Sequence, residues 1–240
     1  YDAWADAGAT GWGYDDLLPY FRRSETRPGG DPAYRGLHGP VRVAPLSRVH
    51  PIATALLDAA AARGLPVLDD ANGPSNEGAV FADYNAIEGD DGSFERWSTA
   101  RAYLEPALGR PNLDVLVDSP VHRIDLTGSR TTGVTHLIDG REVTTTADRI
   151  VLAAGAMDTP RLLQLSGIGD PDRLAAVDIR PRHALPGVGE NFQDHPLVLG
   201  VNFRAREGLG PVIGNGGGTM LNWRSSYAER GPDLHTVIAH

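Results

Sequence analysis

The 240-residue chain contains no cysteine. That excludes disulfides, thiolate metal sites and cysteine nucleophiles, and it leaves the redox compartment open. Long apolar runs are also missing. None approaches the roughly 20 residues that a membrane-spanning helix needs, and no Asn-x-Ser/Thr acceptor occurs. Basic clusters are absent: Arg22-Arg23 is the longest, and 31 acids against 22 bases give a net charge of −9. Phosphate neutralisation needs clustered cations, so a nucleic-acid partner is not expected. The acidity reads as a solvated surface, and a soluble, cytoplasmic protein is the favoured expectation. No basic stretch followed by an apolar one opens the chain, so no signal peptide is expected. YDAWADAGATGW, with no starting Met, reads as mid-domain sequence, and DLHTVIAH stops inside an expected strand. The expectation is a chain cut at both ends.

The hydrophobic content of 41% is enough for a sizeable core, in one large domain or two small ones. GWGYDDLLPYFRRSE (11–25) has helical spacing at Leu17, Leu18 and Phe21, with Asp15 and Asp16 in the favourable first turn. The aromatic residues around it (Trp4, Trp12, Tyr14, Tyr20, Phe21) are expected to pack as core. Gly and Pro make 26–40 a loop, and Val41 with Val43 suggests a short strand. PIATALLDAAAARG (51–64) is the clearest helix, started by Pro51, ended by Gly64, with Ile52, Leu56, Ala59 and Ala60 expected on one buried face. Residues 69–93 are polar and turn-rich. Asp70-Ala71-Asn72-Gly73 hints at a calcium loop, but its glycine is not at the sixth loop position and no Glu stands at the twelfth, so it reads as loop. WSTARAYLEPAL (97–108) looks like a helix capped by Ser98 or Thr99.

The pattern then changes. LDVLV, VHRIDL, TGVTHLI, REVTTT and RIVLAAG are rich in Val, Ile and Thr and are separated by turns at Gly128 and Asp139-Gly140, so strands in hairpins are expected. IVLAA is continuously apolar, as in a strand buried on both faces of a sheet. Gly155 ends it, where a small residue lets the backbone approach a ligand or another segment. A helix over 159–165 follows, then the loop LPGVGENFQDHP. The glycine run 214–218 has no matching strand and helix and reads as loop. Eight histidines lack metal-ligand spacing, and Ser166 is outside a Gly-x-Ser-x-Gly frame, so neither a metal nor a catalytic residue is assigned.

GAMDTPRLLQLSGIG (155–169) resembles the second signature of the glucose–methanol–choline (GMC) flavoprotein oxidoreductases, of the choline dehydrogenase and alcohol oxidase type. Gly155, Ala156, Thr159, Pro160, Leu162, Leu163, Ser166, Gly167, Ile168 and Gly169 carry the match. YRGLHGPVRV, NEG, WSTARAYLEPAL, SPVHRI and LPGVGENFQDHP resemble further family segments in family order, with Phe192 standing where the family has Leu. The resemblance implies an α/β (α+β) fold: part of a Rossmann-like FAD-binding domain plus part of a substrate domain with an antiparallel sheet. The implied divisions are a linker and cap segment (1–40), a mixed, partly substrate-domain region (41–112), part of the FAD-binding domain (113–196) and part of the substrate domain (197–240).

The implied cofactor is FAD and the implied reaction is oxidation of a small-molecule alcohol. Val121 matches a position whose backbone faces the adenine, Ala154 and Gly155 end the cofactor-side strand, and Asp194 with His195 lies in a loop near the cofactor. Flanking prolines make His195 a structural hydrogen-bonding residue rather than a base. A Gly-x-Gly-x-x-Gly loop, which would hold a pyrophosphate, is not in the chain. By resemblance that loop precedes Tyr1 and the catalytic His follows His240, so the missing N- and C-terminal parts are the expected partners. The alternative is a non-catalytic fragment or subunit that docks on a separate FAD-binding chain.

Overall fold

A computed structural model describes residues 1–45, 47–198, 201–213 and 216–239. In chain order the elements are α1 (Asp2–Asp6), α2 (Tyr14–Ser24), β1 (Glu25–Thr26), β2 (Val41–Arg42), α3 (Pro51–Ala62), β3 (Gly78–Phe81), β4 (Ala86–Glu88) and β5 (Phe94–Arg96). A π-helical turn (Ala100–Leu104) and a 3-10 turn (Glu105–Ala107) follow. Next come β6 (Val121–Thr127), β7 (Arg130–Ile138), β8 (Arg141–Thr146), α4 (Gly155–Leu165), β9 (Ile168–Gly169), α5 (Pro171–Ala175), β10 (His183–Ala184), β11 (Gly217–Trp223) and β12 (Leu234–Ala239). No helix among the described residues is long and apolar enough to cross a membrane. The chain divides into two compact units, residues 1–113 with 204–240, and residues 114–203.

In the first unit β11 lies between β3 and β12, antiparallel to both. Helix α3 packs on this sheet through Leu57 and Ala60 against Ala79, with Leu65 and Leu221 beside them. Its buried face is Ala53, Leu57 and Ala60, whereas Ala59 is exposed. The expected stripe was thus misplaced around the helix, because a run of alanines gives the hydrophobic pattern little phase. His50 caps α3: Nδ1 accepts from the Ile52 N–H at 3.2 Å, and Nε2 lies 2.6 Å from Leu209 O, to which it donates. Val41–Arg42 pairs in parallel with Glu25–Thr26 and so belongs to a ribbon separate from the 217–239 sheet.

The aromatic start is not core. Tyr1, Trp4, Trp12 and Tyr20 are all more than half exposed, and the rings of Tyr1 and Trp4, and of Trp4 and Trp12, meet edge to face. Helices α1 and α2 are too short to cover such large rings, though Asp2 Oδ1 does accept the Tyr14 N–H at 2.8 Å. In the same unit Arg35, 2% exposed, reaches Glu25 and Asp83 at 2.9 Å and Asp70 at 3.5 Å, while Arg27 holds Asp83 through Nε and Nη2. The residue-69 loop is therefore tied down by an ion pair. β3, β4 and β5 were unexpected strands in and beside that polar region.

The second unit is built on the meander β6-β7-β8. Its turns are the expected ones: Gly128 has φ +60°, and Asp139 and Gly140 have φ +51° and +74°. His136, 3% exposed, pins the sheet from within. Ser119 Oγ donates its only proton to Leu137 O, so His136 Nδ1 is the donor to Ser119 at 2.7 Å and Nε2 accepts from Thr145 Oγ1 at 2.8 Å. Residues 113–117 form no strand. Nor do 150–154, where Val151 is 88% exposed. The apolar run is expected between two parallel neighbours, and none of the described residues ladders with it. The glycine run 214–218, expected as loop, begins at Gly214 and Asn215 outside the described residues, as are Leu46, Leu199, Gly200 and His240, and ends in strand: Gly217 and Gly218 open β11.

Candidate cofactor-facing site

Helix α4 is fixed at one end and open at the other. At its C-terminal end, Ser166 Oγ donates to Leu162 O at 2.6 Å and accepts from the Ile124 N–H on the edge of β6 at 2.8 Å. Two residues back, Gln164 Nε2 donates to Val188 O at 3.2 Å and holds the LPGVG loop against the helix. At the N-terminal end, Ala154 is exposed and its N–H donates to Thr159 Oγ1 at 3.1 Å. Gly155 has φ +83°, a left-handed conformation that favours glycine, and no atom lies within 4 Å of where a Cβ would stand. Asp158 occupies the first turn, where the helix dipole favours a carboxylate.

The expected site residues all fall in the second unit. Val121 opens β6 opposite His136 and its side chain is 42% exposed. Ala154 and Gly155 adjoin at the start of α4. Asp194 and His195 are exposed, and Asp194 Oδ1 accepts the His195 backbone N–H at 2.7 Å. Among the described residues the His195 side chain makes no hydrogen bond. The hydrogen bond expected of a structural histidine is therefore not formed by this ring within the described residues. No hydrogen bond or ion pair among the described residues joins Val121, the 154–155 pair and the 194–195 pair. None of their side chains is a base held against a nucleophile, and no cluster of three His, Asp or Glu converges as a metal site among the described residues.

Two contributors were missed in the sequence. Ser166 stands in the sequence as part of the family signature and is excluded as a nucleophile, but nothing there marks it as the residue that joins helix to sheet. Gln164 carried no signal, because nothing in a single sequence pairs it with Val188.

The sequence pattern of the family described as GMC oxidoreductase matches residues 1–197. The mitochondrial choline dehydrogenase of Mus musculus is 41% identical over 196 residues, 81% of this chain and 32% of that protein. The oxygen-dependent choline dehydrogenase of Staphylococcus xylosus is 42% identical over 199 residues, 81% of this chain and 34% of its own length. Among solved structures, pyridoxine 4-oxidase from Mesorbium loti superposes with a TM-score of 0.90 at 33% identity, covering 98% of this chain and 46% of that one. An FAD-dependent oxidoreductase from Chaetomium thermophilum gives 0.70 at 30% identity, over 78% of this chain and 34% of its own. The chain therefore spans about a third of the length of these curated relatives. With the family pattern running through four-fifths of the sequence and the fold shared almost end to end with a solved relative, this chain belongs to the GMC oxidoreductases, a family of FAD-binding flavoproteins.

Proposed function

We propose that this chain supplies part of the flavin site and part of the substrate domain of an FAD-dependent oxidoreductase that oxidises an alcohol by hydride transfer to flavin. Alone it is inactive. The observation that carries this reading is the element 150–165: an exposed, apolar, unladdered stretch that runs into a left-handed Gly155 with open space at the start of α4. The fit is to the uncharged part of a flavin dinucleotide. The free groups at 150–155 are backbone and small apolar side chains, and Asp158 places a negative charge where a phosphate would otherwise be drawn. Residues 113–196 are assigned to the FAD-binding side, 41–112 in part and 197–240 to the substrate side, and 1–40 to the cap.

Bound FAD would accept the hydride, and the protein's share is to hold and orient. Val121 is assigned to the adenine side, Ala154 and Gly155 to close backbone approach, and Asp194 with His195 to the loop beside the cofactor. No residue here is assigned as the base for the alcohol proton. A missing general base typically costs about 10²–10⁴-fold in rate. A separate subunit role, docking on an FAD-binding chain, is favoured by the exposure of Val151.

The test is to purify residues 1–240, add excess FAD, and record the flavin spectrum and turnover on a panel of primary alcohols. No turnover is expected. A yellow, alcohol-oxidising monomer would overturn the assignment. Copurification with a flavin-bearing chain at fixed stoichiometry would favour the subunit reading.

A further inference from the structure

In the first unit, Trp97 stands in the wall of a cavity of about 790 Å³. That volume is within the range of roughly 300–1,000 Å³ found for small-molecule sites. The indole N–H donates to Pro40 O at 2.8 Å, which fixes the ring. Arg42, from β2, and Arg101, from the π-helical turn, each bring a guanidinium carbon to 4.7 Å from the ring centroid. Cation–π attraction at that distance holds both side chains against the indole.

The three charged groups on the wall differ in what they have left to give. Arg101 is paired with Glu95. The Glu88 carboxylate is engaged by Arg48 Nε at 3.0 Å and by the Ser47 hydroxyl. Arg42 has no carboxylate within ion-pair distance among the described residues, and it is held in place by Trp97 rather than by a counter-charge. The remaining lining is largely apolar and includes Val43, Ile87 and Ala102. An exposed cation stacked on an indole, with an unused planar donor fork at the wall of a largely apolar cavity, selects a carboxylate joined to an apolar body.

We propose that this cavity binds a small monocarboxylate with an apolar body, with Arg42 as the carboxylate's partner and Trp97 as the residue that positions Arg42. The cavity is lined by residues of the first unit, and the residues assigned to the cofactor belong to the second.

The test uses isotope-labelled chain and the indole N–H resonance of Trp97, identified among the four tryptophans by Trp97→Phe. Naphthoate is titrated alongside naphthamide, its uncharged counterpart. Naphthoate should shift the Trp97 resonance saturably and bind about tenfold or more tightly than the amide, the difference one charge-assisted contact supplies. Arg42→Gln should abolish that preference while leaving the other amide resonances in place, and Arg42→Lys should keep the preference at reduced affinity. Equal binding of acid and amide, an unmoved Trp97 resonance, or a preference that survives Arg42→Gln would overturn the site.

Discussion

The buried hydroxyl of Ser166 accepts the backbone N–H of Ile124 at 2.8 Å and donates to Leu162 O at 2.6 Å. Ser166 thereby uses both its proton and a lone pair to join the end of α4 to the free edge of β6. Replacing it by alanine leaves a buried N–H without a partner, which costs about 1–3 kcal/mol. Ser166→Ala should lose that much stability in a urea titration monitored by far-UV circular dichroism. An unchanged midpoint would show that the tie is not used.

The Arg35 cluster makes a larger prediction. One guanidinium, 2% exposed, serves Glu25, Asp70 and Asp83, with Arg27 the only other cation in the group. Arg35→Ala would leave three carboxylates facing one arginine. Breaking a buried pair from one side costs about 3–5 kcal/mol. The loss should persist at high salt, because buried charges are screened little, whereas removing the exposed Arg161–Asp158 pair should change stability little at any salt. A salt-dependent or negligible loss at Arg35 would contradict the cluster's burial.

Glu25 adds a pH dependence. Burial pushes its carboxyl above the usual 4.5, partly offset by Arg35, while Asp70 and Asp83 push it further up. The folded chain therefore holds this proton more tightly than the unfolded chain. The resulting stability is fully present below pH 4.5 and is lost as pH rises through the raised folded value. Glu25→Gln removes that component, so the variant should gain on the parent protein as pH goes from 4.5 toward neutrality. Parallel stability curves for the two proteins would refute it.

Local rules made the hairpins legible. Asp139-Gly140 and Gly128 are turn chemistry that needs nothing from the rest of the chain, and β6, β7 and β8 follow from them. Helix α3 was visible for the same reason, through Pro51 and Gly64, but its buried face was not, since Ala59 and Ala60 are indistinguishable by type. The 150–154 run was legible as composition and not as structure. Its apolar character calls for two flanking strands, and strand pairing is a non-local fact. The Arg35 cluster was invisible because its acids come from positions 25, 70 and 83, and the four groups look like ordinary surface charges in a one-dimensional reading. The site residues were reached through motif resemblance, whereas the open space at Gly155 and the Gln164–Val188 clamp required coordinates.

Gly155 and Gly128 form a matched pair for testing the cofactor assignment. Both are left-handed, with φ +83° and +60°, and neither has an atom within 4 Å of a built Cβ. A valine at either position meets the same kind of backbone strain, roughly 1–2 kcal/mol, and no steric clash inside the chain. Stability should therefore fall by similar amounts in the two variants, which a thermal melt would check. They differ in what lies outside: Gly128 turns a hairpin between β6 and β7, while Gly155 opens α4 at the end of the apolar run. If the space at Gly155 admits the flavin, Gly155→Val in a flavin-loaded assembly that contains this chain should lower the flavin-to-protein absorbance ratio. Gly128→Val should leave that ratio unchanged, and Gly155→Ala should fall between the two. Equal flavin content in all three variants, with matched melting temperatures, would remove Gly155 from the cofactor side and with it the main support for the assignment of the 150–165 element.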